Sequence, residues 1–564
     1  MCGIAGTLGR LAPPIVDDLL DALAHRGPTE RRPPVTKDNF VSGVCRLSIT
    51  EQSSGVQPHI SRTGNTIVSL NGEIYNYRHL ATKIHPAIGS SENMSECQVI
   101  AAGYELRGPA FFADLRGMFA ISLYDAPARS LYLIRDDRGI KPLYFTERGG
   151  FIAYSSEIKA FFQAGICSDA IDTLYSAHQY VFDFGLYGRT LFADVQSVVP
   201  GTYIQWSESE PCHKVVELSR SFDLWTYSSD DASSIQTLLR ESVRRQIPNE
   251  VTWSLCLSGG IDSSILAWCT NQEIRRPNLF TLRDDLATPD LFGARATAEH
   301  LGLPLLEYHP QCAPEEVLLD YLWAREESEI ASLFWFVMAR GLANIGPVAL
   351  CGQGADELFC GYGFHHDASD MVRYYADRLT AIRDKIELSV YGQLEEELGA
   401  LSLGDETAAL YRLFLREQLT LFQLEAVDKC CMASSVEMRV PYLDDDLVSV
   451  VSGIPLKELM RGEKDLLRDA FGGTGLPSLQ RRKQLSGVHT LPSLHKEISA
   501  LCAKIVPHEA LYQSEAWIAD TPVTAVCREA LLLLMVDWRG HKVEHGDIEE
   551  FYERLKAKFR RRHL

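Results

Sequence analysis

The chain has 564 residues, 46% of them hydrophobic and 23% charged. That balance suits a globular protein that buries a core without disulfides or metal, and it excludes a disordered, collagenous or coiled-coil chain. Its 75 acidic and 55 basic residues give a net charge of −20, which argues against a broad nucleic-acid surface, because phosphate contacts need a cationic face.

The basic tail, 556–562, reads as a solvated end. The most apolar stretch, 332–351, is interrupted by Arg340, Asn344 and Pro347. It reads as a buried helix running into a strand, not as a membrane span. The start lacks the charged and apolar regions of a leader. The 14 cysteines show neither a C-x-x-C pair nor a paired Cys/His spacing, so no disulfide framework is expected. A reduced, cytoplasmic protein with no nucleic-acid or membrane partner is the expectation.

In chain order, helices are predicted over 14–24 and 95–106, and short strands over 40–47, 66–70, 118–124, 131–134 and 151–154. Gly, Asn, Asp and Pro separate the strands, a pattern of antiparallel sheet. Domain 1 is placed at 1–205, a linker at 206–231 and domain 2 at 232–564. In domain 2, strands at 251–257, 279–282, 305–308 and 348–351 alternate with helices from 261 and over 291–301. That alternation points to a parallel sheet. Beyond about residue 364 the sequence is mostly helical.

Cys2 follows the initiator Met1. If Met1 is removed, this one residue carries a thiol and a free α-amine of pKa about 8 that can take the thiol proton. Alone, position 2 reads as the start of a strand. In order after it come HRGP at 25–28, RLSI at 46–49, NGEIYN at 71–76, RDDRGIKPLY at 135–144 and SSEIK at 155–159. With MCGIAG at 1–6, these resemble the amino-terminal nucleophile glutaminase domain of class II glutamine amidotransferases. Amide hydrolysis passes through an oxyanion that needs preorganised donors. The resemblance assigns these to the Asn71 side chain and the Gly72 N–H, with Cys2 as nucleophile. A glutamine carboxylate needs a guanidinium, and the resemblance assigns it to Arg46. Glu73 and Glu96 would face the ammonium. Glu96 stands in MSEC at 94–97, where the family usually has Asp.

The second constellation is LSGGIDSS at 257–264, between a strand and a helix. Glycines let the backbone close on phosphate, and the helix start offers unpaired N–H groups. The string resembles the pyrophosphate loop of ATP pyrophosphatases and lacks the G-K-[ST] of a Walker loop. It implies ATP binding by Leu257, Ser258, Gly259, Gly260, Asp262, Ser263 and Ser264, with Leu282 and Gly352 beside them. Asp262 and Asp356 are the implied Mg2+ ligands, since Mg2+ takes few carboxylates plus phosphate oxygens. Asp356 lies in CGQGADELFCGY at 351–362, Lys464 in GEKDLLR at 462–468 and Lys483 in RRKQ at 481–484. Both lysines would neutralise phosphate charge, Lys483 as a catalytic group. SSVEMRVPYLD at 434–444 reads as a wall of this site, with Arg439 and Asp444 structural.

Over nearly its full length the chain resembles glutamine-hydrolysing asparagine synthetases. The implied architecture is an α+β glutaminase domain of stacked antiparallel sheets, then an α/β parallel-sheet ATP-pyrophosphatase-like domain with a helical C-terminal part. One site would release ammonia. The other would adenylate a carboxylate, and a homodimer is the implied assembly. The acceptor pocket, Gln353, Asp356 and Glu357, departs from the family, which has Glu where Gln353 stands; Gln cannot act as a base. The segment EESEIASLFW at 326–335 also replaces a T-T-I-R-A-S-T-like stretch that lines the aspartate and ATP site. The acceptor is aspartate or a different carboxylic acid. The intact Cys2, Arg46, Asn71, Gly72 and Glu73 argue against an ATP-dependent cyclase with an idle glutaminase. The presence of Asp262 and Asp356 argues against a non-catalytic relative.

Overall fold

The computed structural model describes residues 2–9, 14–49, 55–88, 94–218, 232–363, 368–481, 490–506 and 521–561. Two antiparallel sheets form the first half. In the first, Cys2–Gly9 lies between Phe151–Ser155 and Phe40–Arg46. In the second, Thr66–Ile74 pairs with Gly117–Asp125, which pairs with Ser130–Arg135. Side chains alternate between the faces of a strand. Cys2, Ile4 and Leu8 accordingly pack between the sheets against Ile67, Leu133 and Trp206, while Ala5 packs on the outer face with Leu19 and Leu20. The helix Pro14–Asp21 covers the first sheet, and Glu96–Arg107 covers the second. The result is a four-layer helix–sheet–sheet–helix stack.

The strands match their predicted spans to within a few residues, with one functional exception. The strand from Thr66 runs on to Ile74, so the NGE triplet belongs to the sheet. The stretch at 206–217, read as linker, is also mostly sheet: Glu210–Glu217 pairs with Thr202–Ser207.

The second half holds a five-stranded parallel sheet in the order Leu305–Tyr308, Asn278–Leu282, Trp253–Cys256, Val348–Leu350, Glu437–Arg439. The last strand is a short exception within the mostly helical stretch beyond 364. Three residues containing Glu and Arg carry no strand pattern, and the strand exists because its backbone pairs with Val348–Leu350. Helix Pro289–Leu301 begins before the predicted 291, because Thr288 caps it by accepting from Leu291 N at 3.3 Å and proline is tolerated at the first helical position. The two halves share one apolar core. Leu47, Ile49, Met118 and Ile140 of the first cluster with Leu255, Val440 and Leu443 of the second. Among the described residues no helix is long and apolar enough to cross a membrane.

Candidate active sites

Cys2 opens the first strand, 5% exposed, in register with Arg46. Its N–H donates to Asn71 Oδ1 at 3.0 Å. The other end of that amide, Asn71 Nδ2, is buried and has no partner among the described residues. A buried amide N–H left unpaired is costly, and here it sits on the residue that touches Cys2. Gly72 has φ +136°, and a Cβ there would meet the Met118 carbonyl oxygen at 2.0 Å, so only glycine fits. Cys2, Arg46, Gly72, Glu73 and Glu96 line one cleft of about 400 Å³. All but one of the residues assigned by resemblance therefore line it, and Asn71 reaches it through its bond to Cys2.

Their partners refine the picture. Arg46 Nη1 lies 3.3 Å from Glu30 Oε2. Glu96 begins its helix after the Ser95 cap and accepts from Ile74 N at 2.6 Å. Glu73 pairs with Arg439 of the second half; burial raises its carboxyl above the usual range, with Arg439 opposing that. Sequence reasoning missed two guanidinium groups. Arg26 donates from Nε to the Cys2 carbonyl at 3.1 Å, a role the HRGP motif signalled only as family likeness. Arg439, read as a wall of the other site, touches Glu73 of the first cleft.

The second cleft, about 1240 Å³, opens above the parallel sheet, at the turn where the strand Trp253–Cys256 enters helix Ile261–Asn271. Gly259 has φ +71°, and a Cβ there would come within 2.0 Å of the Gly293 backbone. The loop is clamped by Arg481 Nη1, which donates to the Gly259 carbonyl at 2.6 Å. Ser258 Oγ accepts from Gly260 N at 3.3 Å. Leu257, Ser258, Gly260, Asp262, Ser263, Leu282, Gly352, Gln353, Asp356 and Lys464 all line the cleft. Ser264 does not: it is buried, with its hydroxyl on Thr297 Oγ1 at 3.0 Å. Glu357 is buried behind the loop, accepting from Tyr362 OH at 2.6 Å. Lys483 lies outside the described residues.

Lys464 Nζ sits 2.6 Å from Asp262 Oδ2 and 2.5 Å from Asp356 Oδ1. Burial disfavours its charge, but the two carboxylates outweigh that and raise its pKa. A pair of carboxylates beneath a phosphate loop fits Mg2+ arriving with a nucleotide. No cluster of three or more protein ligands exists among the described residues.

The segment at 326–335 divides between two places. Phe334 and Trp335 line the cleft, with Met338 just beyond the segment beside them. The glutamates before them do not form an acceptor wall. Glu326 is fully buried where the two halves meet, accepting from Ile158 N at 3.0 Å and Lys159 N at 2.6 Å and pairing with Lys429 at 2.8 Å. Glu327 accepts from Tyr175 OH and, at 2.6 Å, from Gln179 Nε2. Around them Arg26 bridges Glu157 at 2.8 Å and Asp428 at 2.7 Å, and Arg135 meets Glu425 at 3.1 Å. Arg439 connects the two clefts: its guanidinium pairs with Glu73 of the first, and its backbone carbonyl accepts from Cys351 N of the second at 3.0 Å, at the start of the 351–362 loop.

Residues 1–215 match the family described as glutamine amidotransferase domain, and residues 234–532 match asparagine synthase. An asparagine synthetase [glutamine-hydrolyzing] 2 of Bacillus subtilis is 28% identical over 527 residues, covering 84% of this chain and 69% of its own. Asparagine synthetase B of Escherichia coli is 27% identical over 479 residues, covering 80% and 75%. A third relative, asparagine synthetase 3 of B. subtilis, is 28% identical over 537 residues and 84% of each chain. The chain belongs to the asparagine synthase family.

Proposed function

We propose that this asparagine synthase family member is a glutamine-hydrolysing carbon–nitrogen ligase that makes an amide from an acceptor carboxylate, glutamine and ATP. The observation that carries the reading is the Asn71 amide. One end holds Cys2 N and the other is an unpaired buried donor, the arrangement an oxyanion requires. With Met1 removed, the Cys2 α-amine takes the thiol proton and the sulfur attacks the glutamine side-chain carbonyl. Asn71 Nδ2 and Gly72 N–H hold the oxyanion. The C–N bond breaks, the proton leaves with ammonia, and water hydrolyses the thioester to glutamate. Arg46 grips the glutamine carboxylate, and Glu73 and Glu96 face its ammonium.

In the second cleft the acceptor carboxylate oxygen attacks the α-phosphorus of ATP and pyrophosphate leaves. Ammonia then displaces AMP from the acyl-adenylate. Lys464 and Lys483 balance phosphate charge. Mg2+ held by Asp262 and Asp356 would supply further charge neutralisation at the phosphates. The 14 cysteines, all free thiols, suit the cytoplasm, and a homodimer is the assembly the reading carries.

The acceptor is a carboxylic acid with a less polar body than aspartate. Phe334, Trp335 and Met338 give its wall, and Gln353 donates to Gln423 Oε1 instead of offering a base. The cations among the described lining residues are already engaged: Lys464 with two aspartates, Arg481 with the Gly259 and Pro289 carbonyls. The names of the relatives favour aspartate as a second reading. Purified protein with glutamine, Mg-ATP and aspartate, followed for pyrophosphate and asparagine together, separates them. Glutamate without asparagine is expected. Asparagine formed in step with pyrophosphate establishes aspartate instead. Cys2→Ala is expected to abolish use of glutamine and leave use of ammonia; retained glutamine hydrolysis in that variant overturns the whole assignment.

A further inference from the structure

Three charged side chains meet in the second cleft, each from a different element. Asp262 comes from the start of helix Ile261–Asn271, Asp356 from the short helix Ala355–Leu358, and Lys464 from the turn before helix Asp465–Phe471. All three line the cleft. The two carboxylates are 19% and 22% exposed, but the Lys464 side chain is only 1% exposed. Its ammonium fills the gap between them, 2.6 Å from Asp262 and 2.5 Å from Asp356. The surrounding chain is shaped for this placement. A Cβ at Gly361 would meet Lys464 Cε at 2.2 Å and Asp356 Oδ1 at 2.1 Å, so a side chain there would displace the pair. Lys464 itself has φ +55°, in the left-handed region that residues with a side chain seldom adopt.

One ammonium against two carboxylates leaves a single net negative charge and occupies an oxygen of each. Mg2+ gives up its waters reluctantly, and it is held by one or two carboxylates together with substrate phosphates. A free cation therefore meets a pair that is already largely neutralised, and breaking a buried ion pair without a new partner is costly. A nucleotide changes both sides of that balance. Its phosphates bring the oxygens that the metal still needs, and they give the ammonium a partner of its own.

We propose that Lys464 sets the order of binding in this cleft: it holds Asp262 and Asp356 closed to a free divalent cation, so that the metal enters only with the nucleotide. The proposal rests on the ATP reading of the cleft and is independent of which carboxylic acid is the acceptor.

Mn2+ titrations of the full chain, read by the electron paramagnetic resonance of free Mn2+ and by the thermal midpoint, test this without turnover. In the absence of nucleotide, the unaltered chain is expected to take up no Mn2+ at this site below about 1 mM. Lys464→Met is expected to bind a Mn2+ ion at least about tenfold more tightly, with a midpoint that climbs as Mn2+ is added. Adding Asp356→Asn to Lys464→Met is expected to abolish that gain. Lys464→Gln takes the place of Lys464→Met if the latter does not melt cooperatively. With α,β-methylene-ATP present, Mn2+ is expected to raise the midpoint of the unaltered chain; no rise refutes the ATP reading, and this proposal with it. Mn2+ binding no tighter in the lysine variant than in the unaltered chain, or a gain that survives Asp356→Asn, overturns the binding order and leaves the ATP reading standing.

Discussion

Asn71→Leu separates an oxyanion donor from a structural amide. In the resting protein Asn71 has one satisfied end, accepting from Cys2 N at 3.0 Å, and one buried end with no partner. Leucine of similar shape leaves the Cys2 N–H unpaired, a cost of about 1–3 kcal/mol, and removes an unpaired buried N–H of similar cost. The two nearly cancel, so folding stability should move by no more than about 1 kcal/mol. The reaction has no such cancellation, because Nδ2 gains its partner only when the oxyanion forms. Losing one such donor costs about 100- to 1000-fold in kcat, or about 2.7–4 kcal/mol. Asn71→Asp sharpens the test, since it keeps the acceptor for Cys2 N and loses only the donor. Glutamate release under saturating glutamine and the thermal midpoint are the two readouts. A fall below about tenfold in both variants, or Asn71→Asp retaining activity that Asn71→Leu loses, refutes the oxyanion role.

Lys464→Met leaves Asp262 and Asp356 facing each other and should stop pyrophosphate release while glutamine hydrolysis continues; pyrophosphate release at the unaltered rate rules out a role at the phosphates. Glu326→Gln removes a fully buried carboxylate bonded to Lys159 and Lys429 and should destabilise the chain by about 3–5 kcal/mol. It should also raise the ratio of glutamate to pyrophosphate produced, and an unchanged melt and ratio count against a coupling role at the seam. Asp444 titrates at about 6 instead of 3.8, chiefly because it is buried, with Asp445 and Asp446 adding to the rise and Arg245 opposing it. The fold therefore favours its protonated form, and that stabilisation is lost as pH rises from 3.8 to about 6. Between about pH 4 and 7, Asp444→Asn should gain about 3 kcal/mol on the unaltered chain. A difference in stability that does not vary with pH refutes the shift.

Most of the residues lining the two clefts were legible because they stand in local strings. The phosphate loop needs glycine where φ is positive, and Gly259 sits at +71° against Gly293; the sequence therefore shows it as a glycine pair after a strand. Cys2 and Arg46 stand in separate motifs on strands paired in one sheet, and Gly72 stands on a strand of the facing sheet. The strand Glu437–Arg439 was not legible. Its charged residues are tolerated inside only because Arg439 satisfies Glu437 at 2.6 Å and reaches Glu73. The run of glutamates at 326–329 misled for the same reason. In sequence it resembles solvated charge or pocket lining, and the partners of Glu326 and Glu327, among them Lys159, Lys429 and Tyr175, lie far away along the chain.

The seam between the halves explains why those charges are inside. Burying an ion pair rarely adds stability over an apolar contact of equal volume, and an apolar patch already crosses here through Leu47, Ile49, Met118 and Ile140. What the charged groups add is a single register. Arg26 has to reach Glu157 and Asp428 at once, Lys159 and Lys429 converge on Glu326, and Arg135 and Tyr144 converge on Glu425. A small slide of one half past the other would strand several buried charges, while the apolar patch alone would tolerate it. Arg26 also holds the Cys2 carbonyl, and Arg439 holds Glu73. The network that fixes the register therefore bonds directly to Cys2 and to Glu73 in the first cleft. Glu326→Gln, which touches neither cleft, should for this reason disturb the coupling of the two reactions before it disturbs either one alone.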